Sequence, residues 1–386
     1  MTPEIVNQLD GYDNIIKEIE IAKRLSSDPF ALKGEVQKYI DRLHPESLEL
    51  TVSEIIDETT SAKTIRFISK KRQLPPFQAG QYINIFVDVD GVRTSRPYSI
   101  SSSPNQLAYY DVTVRRVDDG FVSNYLLDEI KTGDLLKTSS PSGTFFYNPI
   151  IHDATIVGIV GGSGITPLMS MVREIAERRI DRNVFIFYGN KSDDDIIFHD
   201  ELLEISEKFD NINYIPVLEN SGNSYRGDKG FISMNLIKEK IGSLKDKTFF
   251  LCGPQGLYDA IIPDLKDSSV KLKKIRQEMY GLPKDIWNQP GWPSSVDKES
   301  TFKVTINNDG DTIEVSAVES LLNSLERNQK VVPALCRSGE CSRCRLKLLS
   351  GKVYQPEGTR LRKSDAQSGY IHSCAAYPVE DIEILL

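Results

Sequence analysis

The 386-residue chain is short of several things, and each shortage excludes a class of function. No apolar run approaches the ~20 residues that a membrane helix needs, so no spanning segment is expected. Positive charge is not in excess: 47 Lys and Arg stand against 55 Asp and Glu, a net charge of −8. Phosphate backbones call for a basic surface, so no nucleic-acid partner is expected, although a local basic patch for an acidic partner stays compatible with the balance. Met1-Thr2-Pro3-Glu4 lacks a basic stretch leading into an apolar one. No secretory signal is therefore read, and a cytoplasmic location is the default expectation. Cysteine is scarce as well, at five residues. A secreted disulfide scaffold would spread more cysteines over a shorter chain. Four of the five lie in the last fifth of the sequence. That clustering points to metal or redox chemistry.

What is present divides the chain into stretches of different rhythm. At ~100–200 residues per domain the length predicts two to four domains. Residues 1–46 read as a short helical N-terminal extension, because Ile15, Ile16, Ile19, Ala22 and Leu25 recur at helical spacing among charged residues. Such a helix packs on the rest of the protein or docks a partner, and its residues do not choose between the two. Residues 47–149 turn strand-like. Leu48–Ile55, Thr64–Ile68, Gln81–Val87 and Tyr110–Val117 alternate or run β-branched, with Pro75-Pro76, Asp90-Gly91 and Asp119-Gly120 between them. Short strands with turns predict a small antiparallel β-barrel. In residues 150–285, Ala154–Val160, Val184–Tyr188, Asn213–Leu218 and Thr248–Cys252 are apolar strands separated by helical stretches. That alternation predicts an α/β domain with a parallel sheet. Residues 286–300, with Trp287, Pro290, Gly291, Trp292 and Pro293, read as a linker that its two Trp residues can pack down. Strands return over 301–386.

The segment Cys336-Arg-Ser-Gly-Glu-Cys341-Ser-Arg-Cys344 places four residues and then two between successive cysteines, and Cys374 follows after a long gap. This is plant-type ferredoxin spacing. Two irons bridged by two sulfides need four converging thiolates, and one tight loop delivers three of them. Gly339 gives the loop backbone freedom, and loop N–H groups can donate to sulfur and tune the potential. A structural zinc site usually uses two short cysteine pairs, which fits this spacing poorly. With Phe302–Ile306, Asp311–Val315 and Leu321–Leu325 as flanks, residues 301–386 resemble the β-grasp fold of plant-type ferredoxins, an α+β domain with a [2Fe–2S] cluster on Cys336, Cys341, Cys344 and Cys374.

Arg96-Pro97-Tyr98-Ser99 follows a strand and a turn. Here the chain resembles the ferredoxin–NADP reductase superfamily, in which an R-x-Y-S motif binds flavin. The resemblance implies that Arg96 pairs with the flavin phosphate, Tyr98 packs on the isoalloxazine and Ser99 bonds near its N5. The residue types suit those tasks: Arg gives bidentate phosphate contacts, an aromatic ring stacks on a flat cofactor, and a hydroxyl orients the reacting edge. Gly120-Phe-Val-Ser123 looks like the family's phosphate-binding helix start, where free N–H groups meet an anion. Arg115 lies just upstream, where the family often has a basic residue. FAD is the expected flavin, with FMN the alternative.

Gly161-Gly162-Ser163-Gly164-Ile165-Thr166-Pro167 lies between a buried strand and a helix and matches the family's G-G-x-G-I-T-P element, where glycines let the backbone approach a pyrophosphate. Cys252-Gly253-Pro254 matches the family's C-G-P motif. By resemblance Cys252 and Gly253 flank the nicotinamide; Cys252 otherwise reads as a small buried hydrophobe. Glu278-Met-Tyr280 resembles the family's E-x-F/Y strand beside the flavin, which gives Glu278 a positioning or proton-relay role with Ser99 and Cys252. The coenzyme is NADH or NADPH. Ser221, Ser224, Arg226 and Lys191 are the candidates for meeting a 2′-phosphate.

Joined in one chain, these modules predict a reductase. Electrons would pass from NAD(P)H to FAD, singly to the cluster, and on to a redox partner protein, a terminal oxygenase or a reductase. The order of modules over 47–386 resembles reductases of Rieske-type oxygenases, and residues 1–46 fall outside that resemblance. The alternative is a redox-sensing or electron-transfer subunit of a larger complex without turnover of its own.

Overall fold

The computed structural model describes residues 11–25, 34–71, 73–220, 222, 225–283, 285–308 and 310–386. Two compact units divide it, 1–46 and 47–386. In the first, α1 (Tyr12–Leu25) and α2 (Glu35–Leu43) carry out the predicted helical reading. Asp13 at its start and Lys23 and Arg24 at its end complement the dipole of α1. This helix buries none of its residues. The predicted extension also includes 1–10 and 26–33, which lie outside the described residues.

The second unit is built on three larger sheets. The first is antiparallel, from β1 (Leu48–Asp57), β2 (Ala62–Ile68), β3 (Tyr82–Val89), β4 (Val92–Ser99), β5 (Tyr110–Arg115) and β6 (Leu135–Thr138), in the order β4-β3-β6-β1-β2-β5. Its outer strands meet through a bridge between Ile100 and Val112, which curls the sheet toward closure as predicted. Leu50, Val52, Ile65, Phe67, Ile83 and Ile85 fill its interior. Helix α3 (Phe121–Asp128) inserts Val122, Leu126 and Leu127 into the same core, which leaves its N-terminus facing outward.

The second sheet is parallel, in the order β10-β9-β8-β7-β11-β12. Its strands are β7 (Thr155–Gly161), β8 (Asn183–Asn190), β9 (Ile212–Leu218), β10 (Asp228–Lys229), β11 (Lys247–Cys252) and β12 (Ile275–Glu278). Helices α4 (Ile165–Arg178), α5 (His199–Lys208), α6 (Met234–Ile241) and α7 (Gln255–Asp267) connect them. Separate apolar clusters cover its faces, one with α4 and α5 residues and one with α6 and α7 residues, so the strands read as continuous apolar runs.

The third sheet, β14-β13-β19-β15-β17, is mixed. It comprises β13 (Thr301–Ile306), β14 (Asp311–Ser316), β15 (Arg345–Ser350), β17 (Tyr370–His372) and β19 (Ile382–Leu385), with β16 (Val353–Tyr354) and β18 (Tyr377–Pro378) as a side ribbon. β13 and β14 form the predicted hairpin, and β13 runs parallel to β19. Helix α8 (Leu321–Arg327), capped by the Ser320 hydroxyl, packs Leu321, Leu322 and Leu325 on the sheet. A shorter helix, α9 (Lys363–Gln367), follows the ribbon's first strand. In the 286–300 stretch, Trp292 packs edge-on against Tyr354 at 5.2 Å and donates Nε1–H to the Val296 carbonyl at 3.1 Å. Trp287 is more exposed, at 37 %.

Candidate functional site

The C-terminal end of β4 delivers Arg96, Pro97, Tyr98 and Ser99 to a cavity of about 720 Å³. Arg115, Gly120 and Ser123 line it from the same domain, and Thr166 and Tyr280 from the parallel-sheet part. Cys336 and Cys374 of the cysteine cluster line it as well. The flavin-motif residues and two of the four cysteines therefore share one space. The Ser99 hydroxyl lies 3.1 Å from the Tyr280 hydroxyl. Burial pushes the Tyr98 and Tyr280 hydroxyls well above the ordinary tyrosine range, so both stay protonated donors.

One wall of the cavity is unbalanced in charge. Arg96 donates to the Thr94 hydroxyl at 2.7 Å and to the Ser95 carbonyl at 2.8 Å. Arg337 donates to the same Thr94 hydroxyl at 3.0 Å and forms an ion pair with Glu326. Thr94 donates in turn to Glu326 at 2.8 Å. Two guanidinium groups thus share one carboxylate. Burial, and next the Arg337 charge, bring Arg96 down to about 10. A phosphate-bearing cofactor fits this wall, because it supplies the anion that the protein leaves out.

Arg115 takes a partner that the sequence did not announce. It pairs with Asp195, which also accepts from Ser61 at 2.7 Å and Thr59 at 2.5 Å. One carboxylate from the parallel-sheet part thus ties down three groups of the barrel. The N-terminus of α3 opens onto the cavity through Gly120 and Ser123, with no side-chain cap on its first amides, as an anion-receptive helix start requires.

The nucleotide motifs lie behind this wall. Gly161 ends β7, and Gly162–Gly164 form a tight turn into α4, with Gly162 at φ 53°. A Cβ on Gly164 would stand 2.0 Å from the Cys252 carbonyl oxygen, so glycine is required for the two loops to touch. Gly253 and Pro254 complete that contact against Gly161. Thr166 turns its hydroxyl back to the Ser163 carbonyl. Cys252 is fully buried and, unlike Ser99 and Tyr280, does not line the cavity; burial pushes its thiol well above the ordinary range. Tyr280 interacts with both Cys252 and Ser99. Glu278 pairs in register with Cys252 across β11 and β12. Burial, then the negative neighbours Glu340 and Cys336, raise its carboxyl to about 8. The shift favours the protonated carboxyl, so Glu278 can hold a proton. Of the 2′-phosphate candidates, Arg226 and Lys191 are exposed, and Ser221 and Ser224 lie outside the described residues.

The cluster cysteines converge. Cys336 contacts the thiols of Cys341 and Cys374, and Cys344 contacts Cys374. The amides of Ser338, Glu340 and Cys341 donate to the Cys336 sulfur at 3.5, 3.4 and 3.3 Å. Amide donors of this kind stabilise a thiolate, the form that iron needs. His372 braces the loop from behind, meeting the Gly339 carbonyl at 2.9 Å and the Ser342 hydroxyl at 3.0 Å. Among the described residues no group of three or more His, Cys, Asp or Glu is arranged for a metal ion. The thiol contacts form a chain, Cys341–Cys336–Cys374–Cys344, rather than one compact cage. Four cysteines brought together in this way suit two bridged irons.

Several residues of the site carried no signal in the sequence. Thr94, Glu326, Arg337 and Asp195 act across domain boundaries. Tyr258 on α7 accepts from the Gly253 amide at 3.0 Å and donates to the Glu278 carbonyl, pinning the C-G-P loop to β12. Only a tyrosine six positions past the end of β11 hinted at it.

Three families match the chain in sequence order. They are the oxidoreductase FAD-binding domain over 47–147, the oxidoreductase NAD-binding domain over 159–262 and the 2Fe-2S iron-sulfur cluster binding domain over 304–379. A glycine betaine monooxygenase reductase subunit of Chromohalobacter salexigens is 27 % identical over 343 residues, 86 % of this chain and 93 % of its own. NADH oxidoreductase HCR of Escherichia coli K12 is 29 % identical over 336 residues, 86 % of this chain and 96 % of its own. Among solved structures, phthalate dioxygenase reductase aligns with a TM-score of 0.65 at 22 % identity, over 88 % of this chain and 97 % of its own, a likeness of fold.

Proposed function

The chain belongs to the ferredoxin–NADP reductase superfamily of flavoproteins and carries a C-terminal 2Fe–2S domain, and from that membership we propose which residues hold each carrier and which protein receives the electrons. It is an NAD(P)H-dependent oxidoreductase that moves electrons through FAD to a 2Fe–2S cluster and on to a separate protein. FAD, when bound, would supply the conversion of a two-electron donor, NAD(P)H, into the one-electron steps that a cluster accepts. The observation that carries the assignment of residues is the single cavity walled by the R-x-Y-S strand and by Cys336 and Cys374.

In this reading Arg96 meets the flavin phosphate, Tyr98 packs on the ring and Ser99 orients its reacting edge. Gly120, Ser123 and the first amides of α3 meet the second phosphate, with Arg115 beside them. Gly161, Gly162, Gly164 and Thr166 border the coenzyme pyrophosphate, and Cys252, Gly253 and Pro254 border the nicotinamide. Glu278 holds a proton behind Tyr280, and Tyr280 closes the ring pocket. Cys336, Cys341, Cys344 and Cys374 hold the iron. The coenzyme is NADH, which is also the coenzyme in the name of the Escherichia coli relative. The acceptor is the terminal component of an oxygenase, the kind of system that the glycine betaine relative serves by name. Among the described residues no helix is long and apolar enough to cross a membrane; the proposed location is the cytoplasm.

Anaerobic titration with NADH tests the reading. Bleaching of the flavin bands followed by a rhombic EPR signal from the reduced cluster is expected. A flavin that bleaches while the cluster stays oxidised would sink the relay.

A further inference from the structure

The loop that carries the cluster also reaches into the flavin domain. Arg337 follows Cys336 directly, and its backbone holds φ 53°, a left-handed state uncommon for a residue with a side chain. The side chain is buried, at 7 % exposure, between the barrel and α8. Its guanidinium bonds to Thr94, Asn323 and Glu326, and it lines the same cavity as Arg96.

We propose that Arg337 joins Arg96 in binding the phosphate of the FAD, so that the cluster-bearing domain supplies part of the flavin's own site. The inference rests on the reading that Arg96 faces that phosphate. Three observations carry it. First, Thr94 is saturated: its one hydroxyl proton goes to Glu326, and its lone pairs take Arg96 and Arg337. It has nothing left to offer either guanidinium. Second, Glu326 is the single carboxylate in this network, and it is buried against Arg337. One positive charge is left over in a place where an uncompensated charge is costly, and an anion in the cavity removes that cost. Third, the Arg337 Nε–H is buried with no hydrogen-bond partner. Natural structures rarely leave such a donor empty, so the guanidinium keeps hydrogen-bonding capacity that Thr94, Asn323 and Glu326 do not use.

The arrangement couples two events. FAD binds tightly only while the cluster loop is docked on the barrel, and bound FAD by the same factor holds the loop in place.

Serial dilution of the holoenzyme, with released FAD read by its fluorescence, gives the dissociation constant. Arg337→Gln is expected to raise it at least tenfold with the visible absorption of the cluster retained. Glu326→Gln leaves both arginines without their carboxylate, and it is expected to bind FAD at least as tightly as the unaltered chain. A network that only braces the fold would lose FAD in both variants, and that result overturns the proposal. So does an Arg337→Gln constant within twofold of the original. If Arg337→Gln loses its cluster absorption, Glu326→Gln decides alone: weaker FAD binding there overturns the proposal, and equal or tighter binding supports it. Arg96→Gln tests the reading underneath. Loss of FAD in that variant but not in Arg337→Gln removes only the contribution of the cluster loop; loss in neither removes the assignment of this wall to the flavin phosphate.

Discussion

At the end of β4, Arg96, Tyr98 and Ser99 stand on an open cavity with charge to spare, whereas at the end of β11 Cys252 and Gly253 are packed against Gly161 and Gly164 with no space between the loops. Both are strand ends, and both carry a family motif. The first is built as a positively charged receptor for an anion. The second is built as a backbone joint, closed over by Tyr280. Under the proposed assignment, the difference separates a cofactor that stays from one that comes and goes. A resident flavin can be held by buried charge. A coenzyme that must leave each cycle would be served by small residues.

The largest test of this contrast removes the proposed cluster beside the open site. Cys341→Ser abolishes reduction of the cluster while NADH–ferricyanide turnover through the flavin persists. Assay of the two activities side by side checks it, and joint loss in a folded variant would mean that the two carriers are not separable. Ser99→Ala comes next. Loss of one hydrogen bond of about 1–1.5 kcal/mol at the reacting edge slows flavin reduction by roughly tenfold, read by stopped flow, with cluster absorption unchanged. An unaltered rate removes Ser99 from the reaction.

The closed joint is tested through Glu278. Its folded-state carboxyl sits near 8, against an ordinary 4.5. Between those values the folded chain binds more protons than the unfolded one. Its contribution to stability is therefore complete below about 4.5 and is lost as pH rises through 8. Melting temperatures measured across pH 5–9 should fall less steeply for Glu278→Gln; an identical slope would place the titration elsewhere. Smallest is Tyr258→Phe. It leaves the Gly253 amide without its acceptor and costs about 1–3 kcal/mol of stability, measured by denaturant unfolding of the holoenzyme. Together with a raised KM for NADH it would show that the joint positions the coenzyme.

Much of the open site was legible because its chemistry is local in sequence. Four thiolates at fixed spacing, Arg96 to Ser99 on one strand, and Gly120 to Ser123 at one helix start each announce themselves within a few residues. The rhythm of strands and helices likewise pointed to the barrel and the parallel sheet, and the resemblance of 301–386 to plant-type ferredoxins pointed to the third domain. What remained hidden is non-local. Thr94 and Glu326 are separated by 232 positions, and Arg115 and Asp195 by 80. Arg337 lies between Cys336 and Cys341 and carries no pattern of its own. No periodicity marks a contact between domains, since it depends on how finished surfaces meet. Cys252 shows the opposite case. Its motif was plain, but its depth beneath Tyr280 is decided by packing around the end of β11.

The stretch around Trp292 limits how far the electrons can be carried. Ile286 and Trp292 pack with Tyr354 and Tyr377 of the last domain, so the tether is glued to its own cargo. Only the segment between Glu278 and Ile286 is left to span the gap, and fully extended it reaches about 25 Å. A cluster on so short a leash cannot travel to a distant client. Any travel of the cluster is confined to that reach, so the receiving protein has to come within it.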